Sequence, residues 1–274
     1  MSALRRACLC VEYDGSRYHG WQYQHHSTSV QAVLQEALGK VLDHDVEVVC
    51  AGRTDTGVHA TGQIVHFDTD VERSRRGLTL GTNSHLPSDV SVRWSRWVDE
   101  GFHARFAAVE RRYRYLILSS ASRSALYADR VWVQPHELDG AAMQAAADAL
   151  LGEHDFSSFR AAGCQAKHPV RLLKQVRVSQ RGAWTVVDVA ANAFLQHMVR
   201  NITGMLWHVG VGKSSVDAVP ALLAARDRTK APVAAPAAGL YLTEVRYPGH
   251  FDLPQPEAED DILLPLEPLI PLRA

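Results

Sequence analysis

The sequence has few cysteines and no pattern of metal ligands. Its 274 residues include four cysteines, and no two of them form a C-x-x-C pair. Disulfide frameworks and cysteine-based zinc sites need closely spaced or more numerous cysteines. The 14 histidines include no H-E-x-x-H or comparable spacing. We therefore expect reduced thiols that pack as small apolar groups, and no metal site. His25, His26 and His197 are expected to be surface or polar-network residues.

Long apolar runs are also missing. No segment approaches the roughly 18 apolar residues that cross a bilayer. The apolar run within residues 1–15 is too short for the core of a signal peptide, and it leads directly into a charged strand pattern. The apolar content of 46% and the charged content of 22% are those of ordinary soluble globular proteins. We therefore expect a cytoplasmic protein with no membrane partner.

The charge is unevenly distributed along the chain. The net charge is −1, but residues 251–274 carry −5, which leaves +4 on residues 1–250. Because this last segment is acidic and rich in proline, it is predicted to be an appendage to the folded body. Basic residues of the body form clusters, which favours a polyanionic partner. These clusters are Arg73, Arg75 and Arg76; Arg111, Arg112 and Arg114; Arg171, Lys174 and Arg177; Arg226, Arg228 and Lys230.

The hydrophobic periodicity predicts the same order of elements twice. Alternating apolar residues indicate strands, and apolar residues spaced by three or four indicate helices. In the first half, strands are predicted at 6–14, 46–52, 62–68 and 90–98, and helices at 29–44 and 74–84. In the second half, strands are predicted at 111–119, 171–180, 184–191 and 239–247, and helices at 139–152 and 194–210.

This repeated β-α-β-β-α-β order predicts an α/β (α+β) fold made of two ferredoxin-like halves. We expect the halves to span residues 1–105 and 106–250, followed by the acidic tail at 251–274. The two sheets are predicted to join into one mostly antiparallel sheet with helices on one face. A central cleft would then lie between the halves, with the loop at 52–60 at one end of the first half's central hairpin.

That loop, "AGRTDTGVHA" (51–60), carries a carboxylate, Asp55, among small and polar residues. Its Asp-Thr-Gly triplet suggests an aspartic protease, but such a site needs two aspartates that share a proton, and the neighbouring Arg53 would hold them ionised. A phosphate-binding loop is disfavoured because the Gly-Lys-Ser/Thr ending is missing. Asp55 as a simple turn cap stays open on these residues alone.

Eight segments, in order, resemble the tRNA pseudouridine synthase A family, and the likeness covers about residues 5–248. Eight ordered segments are far more specific than one R-T-D-x-G motif. These eight segments, in addition to "GRTDTGVHA", are "YDGSRYHGWQ" (13–22), "SVQAVLQEAL" (29–38), "LPSDVSVRW" (86–94), "FHARF" (102–106), "RRYRY" (111–115), "HDFSSF" (154–159), "FLQHMVRN" (194–201) and "APAAGLYL" (235–242).

The resemblance implies an isomerase that needs no cofactor and converts uridines to pseudouridines in the tRNA anticodon arm, at positions 38, 39 and 40. It also implies a homodimer, and it makes the central cleft the expected RNA-binding cleft. Asp55 matches the catalytic aspartate of the family, which acts as nucleophile, and Arg200 matches the arginine that pairs with it. Tyr113 matches the active-site tyrosine, Arg53 the residue that assists RNA entry and base extrusion, and Leu240 the apolar residue over the base.

Two other functions stay open as alternatives. A non-catalytic tRNA-binding or folding module would keep the basic cleft without turnover, although the set of Asp55, Tyr113 and Arg200 argues against it. A dimeric Asp-Thr-Gly protease is the less favoured alternative, and sensitivity to pepstatin would reveal it.

Overall fold

The computed structural model describes residues 4–255, so most of the acidic tail (256–274) lies outside the described residues. The first half has the predicted order of elements. Helix α1 begins where the Ser29 hydroxyl accepts a hydrogen bond from the Ala32 amide, and it ends at Asp43 in a left-handed conformation. The elements are β1 (Arg5–Tyr13), α1 (Val30–Leu42), β2 (Val49–Cys50), β3 (His59–Thr69), α2 (Arg75–His85) and β4 (Val90–Val98).

The second half adds elements that the periodicity does not predict: two short strands, β6 and β7, and the helix α5. In α5, Pro220 lies in the first turn, where a missing amide hydrogen costs little. The elements are β5 (Glu110–Ser119), β6 (Trp132–Gln134), α3 (Gly140–Asp148), β7 (Gly152–Asp155), β8 (Val170–Arg181), β9 (Trp184–Ala191), α4 (Met198–Gly210), α5 (Ala218–Ala225) and β10 (Leu240–Arg246).

All ten strands form one sheet in the order β4-β1-β3-β10-β5-β9-β8-β7, with β2 paired to β3 and β6 to β5. Each half therefore has the ferredoxin-like strand order, and the predicted fold is confirmed. The halves meet where β3 and β10 run parallel, with His59 opposite Tyr241 and Ala60 opposite Leu242. We call these two residue pairs the seam.

The pairing also explains why the helices share a face. Strand β1 is antiparallel to β3, and β5 is antiparallel to β10, so β1 and β5 run in the same direction. Both crossovers, from β1 to β2 and from β5 to β8, lead toward the same edge of the sheet. Right-handed crossovers of this kind place α1 and α3 on the same face.

The linker between the halves, residues 99–109, packs against the first half. Phe102 is fully buried against Tyr247, whose hydroxyl donates to the Ala104 carbonyl oxygen over 2.7 Å. The Ala104 amide donates to Nδ1 of His66 over 3.1 Å. Burial, helped by the charge of Arg6, lowers the pKa of His66 to about 4, so the imidazole is neutral at pH 7.

No helix within residues 4–255 is long and apolar enough to span a bilayer.

Candidate functional site

The loop that carries Asp55 is held by a buried glutamine of the adjacent strand. Gln63 of β3 donates from its side-chain amide to the Gly52 carbonyl oxygen over 2.6 Å, and its own carbonyl accepts from the Gly52 amide over 3.4 Å. The Ala51 amide donates to the Ile64 carbonyl oxygen over 2.8 Å. The start of the loop is therefore fixed as if it continued the sheet.

Thr54, the residue before Asp55, is anchored in the protein. It is buried, its hydroxyl lies 2.8 Å from the Tyr13 hydroxyl, and its carbonyl oxygen accepts from the Trp21 amide over 3.0 Å. Gly20 has a φ of +89°, and a Cβ there would lie 2.7 Å from the Thr54 carbonyl oxygen. The segment at 13–21 can approach the loop this closely because Gly20 has no side chain.

The Asp55 carboxylate points toward the start of α4 in the other half. Its Oδ2 lies 3.4 Å from His197 Nε2 and 3.9 Å from an Nη1 of Arg200. Arg200 is fixed in turn, because its Nε donates to the Ala235 carbonyl oxygen over 2.8 Å. The guanidinium and the positive end of the helix both attract the carboxylate. With 28% of its side chain exposed, Asp55 is sheltered but open to a ligand.

Tyr113 of β5 forms the wall beside this carboxylate. Its ring meets Phe194 edge to face, with 5.0 Å between centroids, and a Cβ added to Gly52 would lie 3.8 Å from the Tyr113 hydroxyl. Burial raises the pKa of Tyr113, and the negative charge of Asp55 raises it further. The phenol therefore keeps its proton and is available as a donor next to Asp55.

The two remaining predicted site residues occupy opposite environments. Leu240, at the start of β10, is 5% exposed and belongs to the same core cluster as Val58 and Tyr115. It forms part of the apolar floor behind the loop. Arg53 is exposed, and within residues 4–255 its side chain makes no hydrogen bond or ion pair. The structure thus brings Asp55, Tyr113 and Arg200 together, buries Leu240 behind the loop and leaves Arg53 at the surface.

A buried histidine links the halves beneath the loop. His59 Nδ1 accepts from the Gly15 amide over 3.0 Å, so Nε2 carries the proton and faces the carbonyl oxygens of Asp129 (2.9 Å) and Ala238 (3.1 Å). Its ring stacks on Tyr241 with 4.6 Å between centroids. Burial lowers the pKa of His59, and the nearby Asp14 only partly opposes this effect. The neutral imidazole therefore bridges the seam.

The arginines of "RRYRY" are engaged inside the protein and do not form a free basic patch. Arg111 donates to backbone carbonyl oxygens, Arg112 pairs with Glu110 and Glu244, and Arg114 pairs with Asp188. The contribution of this cluster to the binding of a polyanion stays a prediction. Cross-strand pairing explains the ion pairs of this cluster, because it places acidic residues of β9 and β10 opposite the arginines.

Sequence reasoning missed two residues of the site, His197 and Arg111. The spacing of His197 and Arg200, three residues apart at a helix start, was a signal that they could share a face. Arg111 gave no signal, because its four carbonyl partners come from three separate segments of the chain. Among residues 4–255, no group of three or more His, Cys, Asp or Glu side chains is placed to hold a metal ion.

The sequence is similar to known proteins over most of its length. The profile of a family described as "tRNA pseudouridine synthase" matches residues 9–107 and 146–248. Three close relatives, each 52% identical to this chain, are called tRNA pseudouridine synthase A. The alignment covers 91% of this chain and 94% of the protein from Photorhabdus laumondii. It covers 96% and 95% for the protein from Aeromonas salmonicida, and 91% and 95% for the protein from Yersinia pseudotuberculosis. A solved structure of a Cbf5-Nop10-Gar1 complex aligns with 73% of this chain and 54% of its own at a TM-score of 0.31 and 11% identity. On the profile match and the relatives, this chain belongs to the tRNA pseudouridine synthase family.

Proposed function

We propose that this protein is a tRNA pseudouridine synthase that isomerises uridines 38, 39 and 40 of the anticodon arm. Family membership and relatives that carry this name over more than 90% of the chain support the reaction. The observation that carries the proposal is the meeting of three groups from the two halves. Asp55 comes from the first half, and Arg200 and Tyr113 come from the second.

These groups suit the steps of the reaction. The N1–C1′ bond of uridine breaks, the uracil turns, a C5–C1′ bond forms, C5 loses its proton and N1 gains one. The Asp55 carboxylate, which lies beside Arg200, can act as the nucleophile and later leave. The ring of Tyr113 offers a stacking surface for the extruded uracil, worth about 1–3 kcal/mol. Its protonated hydroxyl, close to Asp55, is placed to take part in the proton transfer.

Access to the site is supported by exposed groups beside the loop. The exposed Arg53 side chain is available to contact a phosphate or to fill the space that an extruded base leaves. Phe106 is 76% exposed, with the Arg105 guanidinium 5.7 Å from its ring centroid. Arg111 connects the segment that carries Phe106 to the loop that carries Asp55, because its Nη2 donates to the carbonyl oxygens of both Arg105 and Ala51. An exposed aromatic ring next to arginines is typical of surfaces that bind unpaired bases.

The family resemblance supports two further parts of the proposal: a homodimer in which one tRNA contacts both subunits, and a cytoplasmic location. Leu240 is assigned to the apolar surface that closes the pocket over the uracil. The mildly basic body outside the tail is consistent with salt-sensitive binding to the tRNA backbone.

The test replaces Asp55 by alanine and measures tritium release from tRNA that carries uridine tritiated at C5. We expect the wild-type protein to release tritium and the variant to release none, while both bind tRNA. Asp45→Ala is the matched control, because Asp45 is an exposed aspartate on the loop before β2 and its loss changes the net charge equally. Turnover by Asp55→Ala would refute the role of this carboxylate.

The alternatives give different results in the same assay. A non-catalytic tRNA-binding module would bind tRNA, but the wild-type protein would release no tritium. A protease would cleave polypeptides without RNA and respond to pepstatin. The pairing of Asp55 with a guanidinium opposes the shared proton that such a protease needs. Mapping of pseudouridine in tRNA from cells that lack the gene would test positions 38–40 directly.

A further inference from the structure

The two oxygens of the Asp55 carboxylate lie in different surroundings. The imidazole of His197, at 3.4 Å, and the guanidinium of Arg200, at 3.9 Å, both approach the same atom, Oδ2. Within residues 4–255, no hydrogen bond to Oδ1 is formed. A carboxylate engaged through one oxygen presents the other to a ligand.

Of the two groups, His197 is the nearer one. Arg200 lies beyond hydrogen-bond distance of Oδ2, and its Nε is committed to the Ala235 carbonyl oxygen. It supplies charge rather than a directional bond. His197 Nε2 is placed, after a small closure, to donate a hydrogen bond that defines the rotation of the carboxylate.

The backbone of His197 is held in an uncommon conformation. The residue precedes α4 with φ +60° and ψ +4°, in the left-handed region. Histidine has no intrinsic preference for this region comparable to that of glycine, so the conformation costs free energy. Other residues with positive φ in the described part of the chain are glycines, three aspartates and Arg226. At His197 the turn directs the imidazole to the same side of α4 as Arg200, one helical turn later.

We propose that His197 is a positioning residue for the nucleophile. Together with Arg200 it engages Oδ2 of Asp55, so that Oδ1 is the oxygen that faces the nucleoside. This inference rests on the function proposed above. Loss of the imidazole frees the carboxylate to rotate, and reactive groups misplaced by about 1 Å cost on the order of 10²-fold in rate. Binding of tRNA, which depends on the wider surface, stays intact.

The experiment separates the side chain from its backbone. His197→Gly removes the imidazole and suits the left-handed conformation, and His197→Gln restores a side-chain N–H donor. Asp43→Gly is the matched control, because Asp43 also has a positive φ (+61°) next to a helix and lies in a different element. Each variant is measured for single-turnover tritium release with saturating protein, for tRNA affinity and for thermal unfolding.

We expect His197→Gly to slow single turnover about 10- to 100-fold, with tRNA affinity within twofold of wild type and a melting temperature at or above that of wild type. His197→Gln should recover part of the rate, and Asp43→Gly should turn over like wild type. Wild-type turnover by His197→Gly would overturn the inference, as would a loss confined to tRNA affinity. If the wild-type protein itself released no tritium, the proposed function would fail instead.

Discussion

Replacement of Arg111 by methionine tests whether this side chain holds the catalytic loop against the linker between the halves. The guanidinium donates to four backbone carbonyl oxygens, those of Ala51 (3.1 Å), Arg105 (2.7 Å), Ala108 (3.2 Å) and Asn192 (2.9 Å). Burial lowers the pKa of Arg111, which has no carboxylate partner in the described structure. Methionine keeps much of the aliphatic stem and removes all four bonds.

The expected cost follows from the surroundings of the four acceptors. The bonds to Ala51 and Ala108 are partly buried, whereas those to Arg105 and Asn192 face solvent. Water replaces the donor at the exposed carbonyls, so the loss comes mainly from the other two. A partly buried bond from a charged donor contributes about 1–2 kcal/mol, so the free energy of unfolding should fall by about 2–4 kcal/mol. Turnover should fall about tenfold, because Ala51 lies four residues before Asp55 and a released loop spends less time in the reactive geometry.

Arg112→Met is the matched control, because neighbouring residues of a strand point to opposite faces. Arg112 pairs with Glu110 (2.7 Å) and Glu244 (3.3 Å), away from the loop, and Glu110 keeps Lys174 as a partner at 3.0 Å. Partly exposed pairs of this kind contribute about 0–1 kcal/mol. Urea unfolding and tritium release measure both variants. If Arg111→Met unfolded and turned over like Arg112→Met, the four bonds would not hold the loop.

Three further outcomes follow from the structure. Because the pKa of His66 is lowered to about 4, the unfolded chain binds more protons than the folded protein below pH 6.5. The free energy of unfolding, measured in urea, should therefore fall by up to about 3 kcal/mol from pH 6.5 to pH 4. His66→Gln should reduce this dependence of the free energy on pH. Gly20→Ala should abolish most turnover, because the new methyl would meet the Thr54 carbonyl oxygen; Gly182→Ala, also at positive φ but in open space, should not. Tyr113→Phe should keep tRNA affinity and slow tritium release about 10²-fold, and unchanged release would exclude the hydroxyl from proton transfer.

The hydrophobic periodicity predicted the long strands and helices. It missed the short elements β6, β7 and α5, and it failed where side chains bond to the backbone. The strand predicted at 46–52 shortens to Val49–Cys50. The reason is visible at Val48, whose amide donates to the Gln35 side chain and whose carbonyl oxygen accepts from that of Gln31. Both glutamines belong to α1, and their side chains bond the amide and the carbonyl oxygen of Val48 that a strand would bond to its neighbour. A pattern of apolar residues does not show that a side chain takes the place of a neighbouring strand in this way.

Helix α4 gives the second example, and here the failure matters for the site. Its apolar pattern begins at residue 194, but the helix begins at Met198, after the left-handed His197. The expectation that His197 is a surface or polar-network residue is correct in kind but does not reveal its partner. That partner, Asp55, is 142 positions away in the sequence, and the contact depends on the register of β3 against β10. The motifs indicate which residues the site contains, and the long-range pairing determines which atoms meet.

The seam explains why the site needs both halves. Strands β3 and β10 pair through only His59 and Ala60 with Tyr241 and Leu242, and the loop that carries Asp55 ends where this pairing starts. The carboxylate of Asp55, the proposed nucleophile, therefore belongs to the first half, while the guanidinium of Arg200 belongs to the second, 3.9 Å away. A small sliding of one half against the other would change this distance directly. The hydrogen bonds of His59 across the seam thus stabilise the fold and set the spacing between the charges of the site.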